Sequence, residues 1–392
     1  MSFQSVRLYN YRNLANATVS TDASEVFLVG ENGQGKSNFL EAVYVLCYGS
    51  SFRTRTDGLL PRQGTTECSL SGQIQTDDTG SDPEVAGLPA APLTAAEPTE
   101  PDPAAAPKHG PLTEHTVRWR DGKKDITVDG ETIADRRDLV RTVPCIVFCH
   151  DDIQFVRGAP EMQRYFFDQT LSLDDPLFID TLRAYRKILR LRNSALKEYQ
   201  TDLLPVYDQQ LAATGLEIQR RRREAVDTFS RTFAGLFRGI SGSSHDLAVD
   251  YRPSWKKDPP LEKVLAVLES RHEMDLSLGT TTTGPHRDRF RFVMDGADYT
   301  QTASTGQLRL TSLVLRVAQA RFFSDRAGRK PLLLLDDVLL ELDPTRRERF
   351  LHALPAFRQA FFTLLPDEQF TGLRKADTLV YRVHNGRIEP EA

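Results

Sequence analysis

Cysteine is scarce in this 392-residue chain: Cys47, Cys68, Cys145 and Cys149 are all it has, and no two form a C-x-x-C pair. That excludes a disulfide framework and a thiolate zinc site, and it points to a reducing compartment. Apolar runs of membrane-spanning length are missing, and Met1-Ser2-Phe3-Gln4 lacks a basic stretch followed by an apolar one. A cytoplasmic protein with no membrane attachment is therefore expected. Basic charge is not in excess either: 50 Lys+Arg stand against 54 Asp+Glu, a net charge of −4, so composition alone does not advertise nucleic-acid binding. Sustained heptads are also absent, which excludes a long coiled-coil arm.

What the chain does have is a pair of motifs placed far apart. Gly30-Glu31-Asn32-Gly33-Gln34-Gly35-Lys36-Ser37 fits the full G-x-x-x-x-G-K-[ST] phosphate loop. Val26-Phe27-Leu28-Val29 before it has strand length, and Asn38-Phe39-Leu40-Glu41-Ala42-Val43 after it reads as a helix. Glycines at 30, 33 and 35 permit a close backbone approach that a Cβ would block, so successive N–H groups can point at a phosphate. Lys36 is placed to reach the β- and γ-phosphates of ATP, and Ser37 to ligate Mg²⁺. The second motif, Leu332-Leu333-Leu334-Leu335-Asp336-Asp337, reads as a buried parallel strand that delivers two carboxylates at its C-terminal end. Asp336 is the expected partner of Ser37 at Mg²⁺, and Asp337 stands where a general base or water-positioning carboxylate is needed. Lys36, Asp336 and Asp337 are thus the candidate catalytic residues.

Between the motifs the text changes character several times. From about Gln75 to Pro111 it is rich in Pro, Ala, Glu, Asp and Thr, a composition expected to form a mobile acidic surface loop. Thr116–Arg120 and Ile126–Val128, separated by Asp121-Gly122 and followed by Asp129-Gly130, predict an antiparallel meander. From about Pro160 to Ile240 the pattern is helical. Leu182, Tyr185, Ile188 and Leu189 share one helix face and Arg183, Arg186, Lys187 and Arg190 the other, a stripe that suits either solvent or DNA phosphates. Arg220-Arg221-Arg222-Arg223 wraps around its helix and fits a solvated surface better. Strand and helix text then returns, with a terminal hairpin turning at Asn385-Gly386. The expected architecture is α/β, with a head made of residues 1–160 and 245–392 and an inserted helical second lobe at 161–244.

Ser304-Thr305-Gly306-Gln307 ahead of a helix resembles the signature motif of ABC-type ATPases, and Glu341-Leu342-Asp343 resembles their D-loop, with Asp343 its acidic residue. Taken with the phosphate loop and Asn38, Ser51-Phe52-Arg53-Thr54, Arg192-Asn193, Gly284-Pro285-His286-Arg287-Asp288 and Leu334–Val338, these motifs make the chain similar to the RecF family of bacterial recombination mediators. Thr305 stands where that family usually has Arg, and Leu340 where a small Ser is usual. The resemblance implies an ABC-type head that binds ATP through residues 30–38 and dimerises around two ATP molecules, with Ser304, Thr305, Gly306 and Gln307 facing the partner's γ-phosphate. It also implies binding to duplex DNA and to single/double-strand junctions, slow DNA-stimulated hydrolysis, and action with RecR and RecO to place RecA on gapped DNA. An SMC- or OLD-type DNA-processing ATPase would need long heptads or a nuclease carboxylate cluster, and an ABC transporter ATPase would end its nucleotide strand in Glu; the sequence shows none of these.

Overall fold

A computed structural model describes residues 1–77, 109–256, 258–366 and 374–391. Its centre is a six-stranded sheet in the order Arg387–Pro390, Thr378–His384, Glu25–Val29, Gln359–Leu364, Leu332–Leu335, Cys145–Phe148. All neighbours are parallel except the edge hairpin Thr378–Pro390. Four adjacent strands, Glu25–Val29, Gln359–Leu364, Leu332–Leu335 and Cys145–Phe148, are buried along their whole length, which is why they read as continuous apolar runs rather than alternating ones. Their register sets Leu335 opposite Phe148 and Phe362, and Val29 opposite Leu364. The residues that follow, Gly30, Asp336 and Cys149, therefore emerge at the same edge.

A second six-stranded sheet is antiparallel, in the order Ala17–Ser20, Ser2–Tyr9, Glu67–Asp77, His109–Arg120, Lys123–Val128, Glu131–Thr132. Its inner face carries Phe3, Val6, Leu8, Leu70, Ile74, Val117 and Trp119. The helix Lys36–Tyr48 lies against that face, where a Cβ on Gly72 would meet Phe3 at 2.6 Å and Leu46 at 3.0 Å. The Pro- and Ala-rich segment proves shorter than its composition suggests. Gln75 pairs with Leu112 and Asp77 with His109, so the two strands run into it from both sides, and residues 78–108 lie outside the described residues.

One long helix, Leu204–Ser241, ties the helical part to the head. Its 38 residues span about 57 Å. Near its end Val226, Phe229, Phe233, Phe237 and Ile240 join the main core. Nearer its start Leu211, Ala212, Ile218 and Ala225 pack with Phe178, Leu182 and Tyr185 of the helix Phe178–Lys197. Trp255, Val264 and Leu268 complete that second cluster from beyond residue 244. No described helix is long and apolar enough to cross a membrane.

Candidate functional site

The phosphate loop begins where Glu25–Val29 ends. Gly33 and Gly35 adopt φ of 78° and 119°, which the chain needs to turn from strand into the helix Lys36–Tyr48. Lys36 is buried and its Nζ donates to the loop's own carbonyls, Gly30 O at 2.6 Å and Glu31 O at 3.1 Å, while the side chains of Glu31 and Asn32 stay exposed. The loop is braced from outside. The terminal hairpin sends the Asn385 N–H to Gln34 Oε1 (2.6 Å) and the Gly386 N–H to Gln34 O (2.9 Å). Gly386 is obligatory there, since a Cβ would lie 2.0 Å from Asn13 O. Asn13 donates to Gly33 O at 3.3 Å and accepts from Asn38 at 2.7 Å, and Asn38 in turn accepts from Arg53 at 2.6 Å. Nothing in the sequence pattern marked Asn13 as a neighbour of the loop; the Asn-Gly turn and the Ser51-Phe52-Arg53-Thr54 motif were legible, but not their placement against it.

The two distant motifs meet directly. Ser37 Oγ donates to Asp336 Oδ1 at 2.7 Å across 299 residues of chain. Thr363, in the strand between them, lies 3.2 Å from Asp336 Oδ1 and 2.9 Å from Asp337 Oδ1, and its hydroxyl accepts the Asp337 N–H at 2.7 Å. Asp337 is itself left-handed, with φ 54°, at the point where the chain leaves the sheet. Burial pushes the Asp336 carboxyl up to about 6; the Asp337 charge adds to this, while the Ser37 hydroxyl and the Arg53 guanidinium oppose it. Hydroxyl and carboxylate oxygens crowded in this way are the donor set a hard divalent cation such as Mg²⁺ accepts. The residues present fit the ion.

The signature residues are held differently. Ser304 caps the helix Thr305–Ala327, accepting the Gln307 N–H at 3.3 Å, and the Gln307 side chain accepts the Ser304 N–H at 2.8 Å. Ser304, Thr305, Gly306 and Gln307 are all exposed, and none of their described hydrogen bonds reaches the phosphate loop. Asp343 caps the helix Pro344–Ala353 through the Arg346 N–H at 2.9 Å. One chain thus assembles residues 30–38 with Asp336 and Asp337, and leaves the signature facing solvent.

The basic residues sort into two groups. Arg183 pairs with Asp135 at 2.7 Å and Asp180 at 3.3 Å, and its hydrogen bond holds the Asp135 carboxyl down at about 2. Arg186, Lys187 and Arg190 are exposed with no acidic partner among the described residues. In the arginine run, Arg220 and Arg221 pair with Glu217, Arg223 pairs with Asp258, and Arg222 turns inward to Asp168 and Asp288. The Gly284–Asp288 turn is thereby explained. Asp288 is fully buried and receives Arg222 at 2.8 Å, Gln219 at 2.6 Å, Tyr251 at 2.6 Å and the Ser254 N–H at 2.8 Å. His286 lies 2.7 Å from Tyr185 Oη and 3.0 Å from Thr281 O, so both ring nitrogens have hydrogen-bond partners, and no group of three or more His, Cys, Asp or Glu side chains is gathered around it among the described residues.

Residues 2–389 match the family model described as the RecF/RecN/SMC N terminal domain. The chain is 37% identical to the DNA replication and repair protein RecF of Treponema pallidum (strain Nichols), over 96% of this chain and 98% of that one. It is 30% identical to the protein of the same name from Rippkaea orientalis, over the full length of both. Among solved structures it resembles the recombination mediator protein RecF with ATP, in the RecFOR pathway, with a TM-score of 0.81 and 25% identity over 100% of this chain and 99% of that one. An Smc head bound to the C-winged helix domain of ScpA shares the fold at 15% identity and a TM-score of 0.55, covering 100% of this chain and 97% of that one.

Proposed function

Because the chain belongs to the RecF/RecN/SMC N-terminal domain family, and within it to the RecF proteins, we propose that it is an ATP-driven DNA clamp of replication and recombinational repair. The observation that carries this reading is the 2.7 Å contact between Ser37 and Asp336, taken together with a signature helix N-terminus left exposed. ATP would lie along the loop 30–38. Lys36 would leave Gly30 O and Glu31 O for the β/γ-phosphates, an exchange of carbonyl for phosphate oxygen that electrostatics favours. Ser37 and Asp336 would hold Mg²⁺, which neutralises phosphate charge. Asp337, oriented by Thr363, would position the attacking water. The γ-phosphate then lacks a cap on one side, and the Ser304–Gln307 helix N-terminus of a second copy supplies free N–H groups and a favourable dipole.

Arg186, Lys187 and Arg190 are the proposed contacts to duplex DNA or to a single/double-strand junction, with Arg183 as their anchor. RecR, RecO and RecA are the proposed partners. Sedimentation with a slowly hydrolysed ATP analogue tests the clamp: the analogue, and not ADP, should yield a dimer. Lys36→Ala should lose nucleotide and dimer together, whereas Ser304→Arg should keep nucleotide and lose the dimer. A chain that stays monomeric with saturating analogue overturns the reading.

A further inference from the structure

A groove of about 650 Å³ runs between the C-terminal half of Leu204–Ser241 and the helix Pro344–Ala353. We propose that this groove is the docking site for an acidic, extended segment of a partner protein. Three helices place guanidinium groups along it: Arg231 from the long helix, Arg321 from the signature helix, and Arg349 from Pro344–Ala353. Arg231 and Arg349 have no acidic partner among the described residues, and Arg321 spends only its Nε, on Ala353 O at 2.8 Å. The one carboxylate on the rim, Glu348, faces His352 at 4.0 Å. The charge of the groove is thus left positive by the protein's own pairing.

The floor tells a peptide from a phosphate backbone. It is made by Gly235 and Gly239, one helical turn apart, with Leu236 and Ile240 beneath them. A mid-helix glycine weakens a helix relative to alanine. At both positions a Cβ would meet nothing within 4 Å, so no contact inside the chain calls for glycine there. A close-lying main chain from outside does call for it. Arg231 to Ile240 covers about 13 Å of helix axis, the length of about four extended residues. A bare apolar floor rewards a polypeptide and its small side chains, whereas nucleic acid gains from phosphate contacts and from base stacking on aromatic rings, and the groove is lined by no Phe, Tyr or Trp, its one ring being His352, which faces Glu348 on the rim. The wall helix, capped by Asp343, follows the aspartate strand after one short turn at Val338–Glu341, so an occupant bears on the segment that links this groove to the nucleotide site.

The test is fluorescence anisotropy of a labelled alternating Glu–Ala peptide with the full chain at low ionic strength, beside an alternating Lys–Ala peptide and oligo-dT. The acidic peptide should bind and the basic one should not. Arg231→Glu with Arg349→Glu should weaken binding by about tenfold or more. Gly235→Leu with Gly239→Leu should weaken it comparably without any change of charge, in a helix that these substitutions strengthen, so misfolding does not account for the loss. No binding at millimolar peptide, or binding that ignores both double variants, overturns the proposal. So does loss of oligo-dT binding in the same variants, which would assign the groove to nucleic acid.

Discussion

Two sets of carboxylates in this molecule, one buried and one half-buried, are treated in opposite ways. In the helical part, Asp168 and Asp288 share Arg222, and Asp208 and Asp275 share the fully buried Arg192 at 2.6 and 2.7 Å. Each acid meets a guanidinium, and Asp208, Asp275 and Asp288 gain further partners in the His272 ring, the Thr282 N–H and hydroxyl, and the Ser254 N–H, while one buried Nη of Arg192 is left without a partner. At the end of the parallel sheet, the Asp336 and Asp337 carboxylates accept hydrogen bonds only from the hydroxyls of Ser37 and Thr363, with the Arg53 guanidinium acting on Asp336 without an ion-pair contact, while Lys36 of the phosphate loop is turned to backbone carbonyls. The contrast separates structure from chemistry. A charge-paired network fixes how the long helix sits, and an acid pair with no ion-pair contact among the described residues keeps its charge available for a substrate and its metal.

The largest effect should come from breaking the charge-paired side. Arg222→Met leaves two carboxylates buried without a counter-charge, and unfolding free energy should fall by about 3–5 kcal/mol. ATP affinity of the folded variant should stay near the parental value. Chemical denaturation alongside nucleotide titration checks both, and a variant of parental stability would remove the basis of the comparison. On the other side, Asp337→Asn should slow single-turnover hydrolysis by about a hundredfold while ATP binding persists, since a well-placed base contributes ~10²–10⁴-fold and a short aspartate realises only part of that. The ATP-bound dimer on DNA should last correspondingly longer. Hydrolysis at the parental rate would move the water-positioning role away from Asp337.

Asp336→Asn should have the next largest effect, and of opposite sign on stability. The folded carboxyl titrates at about 6, against about 3.9 in an unfolded chain. The folded state therefore holds the proton more tightly, so the nucleotide-free protein loses stability as pH rises from about 4 to about 6 and then levels off. Asn removes that dependence. In magnesium-free buffer at neutral pH it should gain up to about 3 kcal/mol, and it should bind ATP without responding to Mg²⁺. Thermal melts across pH decide this: a variant no more stable than the parent at pH 7 would mean that Asp336 is not strained by its surroundings.

How much of this was readable beforehand follows from which interactions leave a local trace. The phosphate loop, the aspartate strand and the self-capped signature helix each sit within a few consecutive residues, so spacing alone located them. Thr363 did not stand out, because Phe361-Phe362-Thr363-Leu364 is an ordinary buried strand until register sets it between two carboxylates. Arg222 was hidden inside a run of four arginines. A helix points four successive side chains in four directions, and only the fold decides which one enters the core. Arg192 likewise finds partners 16 and 83 residues away, separations that carry no periodic signal.

The smallest expected effect splits the basic stripe that looked uniform as sequence. Arg183, tied to Asp135 and Asp180, already has its charge compensated, while Arg186, three residues on, has not. If the stripe meets DNA, Arg186→Ala should weaken duplex binding a few-fold and reduce the slope of log K against log salt by about 0.9, the share of one phosphate contact. Arg183→Ala should leave that slope unchanged and instead cost about 0.2–1 kcal/mol of stability, the worth of an exposed ion pair. Binding isotherms at several salt concentrations separate the two. Equal slopes for both variants and the parent would place the DNA on another face, and the free cations of this helix would then belong to its solvated surface.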